Sequence, residues 1–183
     1  MTAPTGRRPL LFLDVDGPLI PFGRTPPEYT TYDMTGVAPD VADHPFLPRL
    51  DPAHGGMLSA LACDLVWATA WQHEANTYLA PRLGLPELPV VEWLEELDLD
   101  GHDERTGLHW KTRALVAYAA GRPFVWVDDE ITGTDTAWVA AHHGTHALLH
   151  RVDSREGLSP ADYAELAAWL RDAPATEAAD ECG

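Results

Sequence analysis

The sequence predicts an α/β domain: an open, mostly parallel sheet of about five strands with helices on both faces. Three observations carry that prediction. Short apolar runs alternate along the chain with longer segments of helical period, the order that parallel sheets require. Several of the runs are continuously apolar rather than alternating, as strands covered on both faces are. Three of them end on polar residues, Asp14, Thr69 and Asp128, and ligands in such folds sit beyond the carboxyl ends of the strands.

The elements follow in order. Residues 10–13, Leu-Leu-Phe-Leu, form the first strand and stop at Asp14. Residues 17–56 are rich in Pro, Gly, Thr and Asp with weak periodicity, so they read as an excursion of loop or short hairpin, a flap or minimal cap. A short helical piece at 57–62 leads into a strand at 64–68 that ends at Thr69. A helix is expected over 74–83, closed by Gly84 and Pro86. Residues 88–91 read as another strand, and 92–105 as a charged, exposed connector. A helix over 109–120 stops at Gly121. A strand at 123–127 runs into Asp128, a helix covers 132–143, and the last strand covers 145–150. Ser159 caps the final helix, with Pro160 in its first turn, through Leu170. Residues 1–172 thus form one domain, and the Ala- and acid-rich residues 173–183 read as a disordered tail.

At 183 residues the chain can bury about 70% of its unfolded surface. Its 45% hydrophobic and 22% charged residues are an ordinary globular balance. The net charge of −17 argues against a broad nucleic-acid surface and against docking on anionic membranes. It leaves room for a small phosphorylated ligand, because one metal ion and one lysine reverse the field locally. The two cysteines, Cys63 in an apolar run and Cys182 near the end, make no disulfide framework. No apolar run approaches the ~20 residues that span a bilayer, and the run after Arg7 and Arg8 is too short for a signal peptide. The expected location is the cytoplasm.

Four positions carry chemistry. Asp14-Val15-Asp16-Gly17 places two carboxylates directly after the first strand, where Gly17 lets the chain turn. Their mutual repulsion calls for a cation or a raised pKa. Taken alone, such a run is more often a plain turn. Asp128-Asp129-Glu130 ends another strand and reads equally as a hard-cation site or as acids offsetting a helix dipole. Lys111 is the only lysine in a chain that otherwise uses arginine; a compact point charge suits a phosphoryl oxygen, or it is a surface residue. Thr69 offers a hydroxyl to a phosphoryl oxygen or to the turn that follows.

The order and spacing of these residues resemble the haloacid dehalogenase (HAD) superfamily. That pattern has Asp-x-Asp after strand one, Thr or Ser after strand two, a Lys near a helix start and paired acids after a later strand. Here it falls on Asp14 and Asp16, Thr69, Lys111, and Asp128 with Asp129, over nearly the whole of residues 10–170. The wording Trp67-Ala68-Thr69-Ala70-Trp71, His109-Trp110-Lys111 and Trp126-Val127-Asp128-Asp129-Glu130 is similar to the HAD domain of Swiss Army Knife RNA repair proteins. The resemblance implies a Rossmann-like, HAD-like fold without a large cap. It also implies a Mg²⁺-dependent phosphatase with Asp14 as nucleophile and Asp16 as acid and base. By the same resemblance Thr69, Ala70 and Lys111 hold the phosphoryl group. Asp14, Asp16 through its backbone carbonyl, and Asp128 or Asp129 hold Mg²⁺. Pro18 departs from the Thr or Val common at its position, which bears on the loop more than on catalysis.

The implied substrate is a nucleotide, a sugar phosphate or a nucleic-acid terminal phosphate. The resemblance pulls toward nucleic-acid ends and the charge of −17 pulls away from them, unless Arg24, Arg49, Arg82 and Arg113 gather in one basic patch. An open site suits a terminal phosphate on a larger molecule, or a small substrate closed in by an oligomer partner. Phe22, Tyr29, Tyr32 and Phe46 offer rings for stacking or simply pack the flap. Trp71, Gln72 and His73 are expected at the entrance. His142, His143, His146 and His150 have no clean ligand spacing, because Gly144 interrupts them. Two other readings remain beside hydrolysis: a noncatalytic binding domain on the same scaffold, and transfer to an acceptor other than water.

Overall fold

The computed structural model describes residues 6–25, 28–35, 44–93, 105–143, 146–174 and 176–177. In chain order the elements are β1 (Gly6–Arg7), β2 (Leu10–Leu13), α1 (Ala53–Ser59), β3 (Asp64–Trp67), α2 (Glu74–Tyr78), α3 (Ala80–Leu83), α4 (Thr112–Ala119), β4 (Phe124–Asp128), α5 (Gly133–His142), β5 (Ala147–Arg151), α6 (Pro160–Asp172) and β6 (Thr176–Glu177).

Four strands form an open parallel sheet in the order β3-β2-β4-β5. Strand β2 is central, and its four residues are all buried because both faces of the sheet are covered. Successive residues serve opposite cores. Leu11 and Leu13, with Val125 and Val127, pack against Leu58 of α1, Leu83 of α3, and Leu166 and Leu170 of α6. Leu10 and Phe12, with Phe124 and Trp126, pack against Leu115 and Ala119 of α4 and Val139 of α5. Each such side chain contributes about 1.5–3 kcal/mol by leaving water. The register sets Leu13 beside Trp67 and beside Val127. Asp14, Ala68 and Asp128 therefore emerge together at one edge. Helices α5 and α6 both open on capping boxes, Thr132 with Asp135 and Ser159 with Asp162, each worth about 1 kcal/mol.

Several expected elements differ. Among the described residues the sheet has four strands, where about five were expected. Residues 88–91 touch β3 only through a bridge between Trp67 and Val90, since Pro89 has no N–H to extend the ladder. The helix expected over 74–83 is two short helices, broken at Leu79 ahead of Pro81. Helix α1 begins at Ala53, not at residue 57, because the Asp51 carboxylate accepts the Ala53 N–H at 2.8 Å. Gly55 is required within it because a Cβ there would lie 1.6 Å from the Leu83 carbonyl oxygen. Helix α4 begins at Thr112 rather than 109, and its left-handed cap is Ala120 (φ 47°), one residue before the expected Gly121. Thr176–Glu177, in the expected tail, pair antiparallel with Gly6–Arg7; residues 175 and 178–183 lie outside the described residues. The last strand is Ala147–Arg151, with 144–145 outside the description.

The described part of residues 17–56 holds a tight turn at Gly17, a 3-10 turn at Leu47–Arg49 and the start of α1. Residues 26–27 and 36–43 of it are not described, nor are 94–104 of the connector. No helix among the described residues is long and apolar enough to cross a membrane.

Candidate active site

Asp14 is the first residue past β2. Its N–H donates to the Val127 carbonyl at 3.0 Å, which continues the strand by one bond and fixes the direction of the side chain. Its Oδ1 accepts the Val15 N–H at 2.8 Å. Its Oδ2 stands 2.8 Å from Lys111 Nζ. The same ammonium donates to Asp128 Oδ2 at 2.7 Å. Lys111 immediately precedes α4, and it is 3% exposed. Burial works to lower its pKa, but the charges of Asp14 and Asp128 outweigh it and hold the lysine cationic. Asp128, fully buried at the end of β4, is completed by the Trp126 indole N–H at 3.2 Å and the Glu130 N–H at 3.0 Å.

One lysine faces three carboxylates. Asp14, Asp128 and Asp129 bring ligand oxygens within 4.8 Å of one another. Burial pushes Asp14 up to about 7 against the pull of Lys111. Burial, then the charge of Asp128, pushes Asp129 up to about 6. Gly17 makes the close approach of Asp129 feasible: its φ is +93°, and a Cβ there would lie 2.7 Å from the Asp129 carboxyl carbon. The cluster is electron-rich, oxygen-only and short of positive charge, which is the donor set a hard divalent cation takes.

The Asp16 carboxylate stands apart from those three. The chain turns back at Gly17, whose N–H donates to the Ile20 carbonyl at 3.0 Å. Asp16 Oδ2 accepts the Trp71 indole N–H at 3.0 Å. Pro18 lies in this turn, and its carbonyl accepts the Leu158 N–H at 2.8 Å. Thr69 is fully buried just past β3, and its hydroxyl oxygen accepts the Trp71 N–H at 3.3 Å. The Trp93 indole N–H donates to the Thr69 carbonyl at 3.1 Å. Ala70 is exposed beside it.

Other candidates scatter. His73 is an exposed helix-start residue 3.5 Å from the equally exposed Glu92. The four C-terminal histidines take separate partners. His142 stacks on Trp138, His143 meets Phe124, His146 stacks on Trp169, and His150 bonds Asp162 at 2.8 Å. The four arginines do not form one patch. Arg24 pairs with Glu156 and Arg49 bonds the Pro21 carbonyl. Arg82 bonds the Asp33 carbonyl, while Arg113 lies over Trp138.

Three residues to which the sequence assigned no such role organise the site. Trp71 and Trp126 each spend an indole N–H on a site carboxylate. Asp135, fully buried, accepts the His109 N–H at 2.8 Å, the Thr112 hydroxyl at 2.6 Å and the Thr132 N–H at 2.8 Å. It thereby ties the start of α4, and so Lys111, to α5. The Thr132-x-x-Asp135 spacing was its sequence signal.

A parallel sheet with a carboxylate beyond its central strand, a hydroxyl beyond the neighbouring strand and a lysine bridging to a second acid is the arrangement of a HAD-type domain. The sequence profile of the HAD domain in Swiss Army Knife RNA repair proteins matches residues 10–163, and the chain belongs to that family. No curated protein and no solved structure matches it.

Proposed function

We propose that this chain is a magnesium-dependent phosphomonoesterase that works through an aspartyl phosphate on Asp14. The observation that carries the reading is the buried Lys111 ammonium held between Asp14 and Asp128 at the carboxyl edge of the sheet. The raised carboxylates of Asp14 and Asp129 add to it, since a site with surplus negative charge favours a cation. Asp14, the Asp16 backbone carbonyl, and Asp128 or Asp129 would hold the Mg²⁺. Bound there, Mg²⁺ offsets the repulsion between an anionic nucleophile and an anionic phosphate.

A carboxylate oxygen of Asp14 attacks phosphorus, and the bond from phosphorus to the leaving oxygen breaks as Asp16 gives that oxygen a proton. Asp16 then takes a proton from the water that attacks the acyl phosphate, which frees inorganic phosphate and restores Asp14. Lys111 has three N–H donors, two of them on Asp14 and Asp128; the third serves a phosphoryl oxygen. The Thr69 hydroxyl hydrogen serves another, because its oxygen already accepts from Trp71. Trp71 holds the Asp16 carboxylate in place.

The substrate is a phosphate monoester: a nucleotide, a sugar phosphate or a nucleic-acid terminal phosphate. The family's association with RNA repair brings in the last of these. The test is release of phosphate from a generic aryl phosphate and from a panel of these monoesters. Turnover that requires Mg²⁺, stops with chelator and is lost in Asp14→Asn supports the reading. Absence of turnover across the panel together with absence of Mg²⁺ binding contradicts it.

A further inference from the structure

On the Asp16 side of the phosphate site the surface opens into a cavity of about 400 Å³, within the range of small-ligand sites. Asp16, His44, Ala70, Trp71, Glu74 and Tyr78 line it. Its position assigns its role, given the phosphatase reading on which this inference rests. It contains the residue that protonates the leaving oxygen and adjoins Thr69, so the leaving group of a bound ester extends into it.

The walls are aromatic and held in place. The Trp71 indole is pinned through its N–H to Asp16 at 3.0 Å, so it offers the cavity no donor and only ring surface. The His44 ring lies 4.9 Å from it, inclined by 50°, so the two rings touch and form one continuous aromatic wall. Phe46, 43% exposed, backs His44 edge-on at 6.0 Å. A flat ring laid against this wall meets π surface, a contact that a polyol cannot make.

The charge is equally selective. The acidic residues of the lining are Asp16 and Glu74, and no lysine or arginine is among the described lining residues. A second phosphate next to the leaving oxygen would meet two carboxylates and no arginine or lysine. The cavity thus suits an ester whose alcohol carries a planar, uncharged ring.

We infer that this cavity is the leaving-group subsite and that it recognises a heteroaromatic ring by stacking on Trp71 and His44, so that the substrate is a nucleoside monophosphate or the terminal nucleotide of a strand. Stacking of one base on aromatic side chains is worth about 1–3 kcal/mol, which corresponds to roughly 5–150-fold in affinity.

The experiment is equilibrium binding to the Asp14→Asn protein with Mg²⁺ by calorimetry. It compares the tighter-binding of adenosine 3′- and 5′-monophosphate with ribose 5-phosphate. The ring is expected to tighten binding about tenfold or more. His44→Ala in that background is expected to cut this ratio about fivefold, and His44→Phe to restore it. Equal affinities with and without the ring overturn the subsite, as does a ratio indifferent to His44→Ala in a protein that melts normally. Because the readout needs no turnover, the two readings fail separately. Ring selectivity without hydrolysis by the wild-type chain removes the phosphatase and keeps the subsite. Hydrolysis without ring selectivity does the reverse. A phosphorylated dinucleotide separates the sources: affinity equal to the mononucleotide identifies a strand end, and weaker affinity identifies a free nucleotide.

Discussion

Lys111 Nζ lies 2.8 Å from Asp14 and 2.7 Å from Asp128, joining the central strand to its neighbour through one buried cation. Among the described residues no other side chain of the Asp14, Asp128 and Asp129 cluster supplies that charge, so structure and chemistry both depend on it.

Lys111→Met removes the cation and leaves Asp14 and Asp128 unpaired. Breaking such a pair costs about 3–5 kcal/mol. The loss is expected to be largest at pH 8 without Mg²⁺ and smaller at pH 5, where Asp14 takes up a proton instead. Denaturant melts at the two pH values check this. Turnover is expected to fall by about 10²–10³, the scale of losing one charge-stabilising donor.

Mg²⁺ stabilisation should depend on pH with a definite sign. Asp14 and Asp129 are raised above the unfolded carboxyl value, to about 7 and about 6. Groups raised on folding contribute stability that is full below about pH 4 and lost as pH rises through the folded pKa. The metal-free protein therefore weakens between pH 5 and 7.5. Those same ionised carboxylates bind the cation, so Mg²⁺ is expected to raise Tm more at pH 7.5 than at pH 5. An equal rise at both values would count against the cluster as the metal site.

Gly17→Ala tests the close approach of the turn to Asp129. The added Cβ meets the Asp129 carboxyl carbon at 2.7 Å, and the φ of +93° is itself unfavourable for alanine. A loss of about 1–3 kcal/mol is expected, with weaker Mg²⁺ binding by titration calorimetry as Asp129 is displaced.

Asp135→Asn tests the link from α5 to Lys111. Its carboxyl is held below the ordinary value: burial opposes this, but bonds from Thr112, Thr132 and His109 outweigh it. Stability from a lowered carboxyl is present above about pH 4 and lost as pH falls through its folded pKa. The wild type is expected to exceed Asp135→Asn by about 1–3 kcal/mol at pH 7, with the gap closing in acid. Lower kcat at unchanged KM would report Lys111 displaced from its carboxylates.

The strand ends were legible because each apolar run stops abruptly on a polar residue, and parallel pairing brings those ends to one edge. Asp14 and Asp128 meet there for that reason, and Lys111 reaches them from the start of α4. The Trp71–Asp16 bond was not legible: the residues are 55 positions apart, and no local pattern marks an indole N–H for a distant carboxylate. Asp135 was missed for a related reason, since its capping box is local but its bond to His109 spans 26 positions. The fifth strand failed at Pro89, where apolar content suggested pairing that the missing N–H prevents. The early start of α1 turned on one Asp51 side-chain bond outweighing two glycines.

In the proposed mechanism Asp14 carries the phosphoryl group. Asp16→Asn slows release of the phosphoryl group from Asp14 by removing the base that activates water, so the intermediate should accumulate when a reactive aryl phosphate is the donor. Acid-quenched intact-mass analysis with Mg²⁺ is predicted to show one phosphoryl group per chain, mapped to Asp14 and absent from Asp14→Asn. Sustained hydrolysis by Asp14→Asn at the wild-type rate, with no adduct on any chain, would contradict the account.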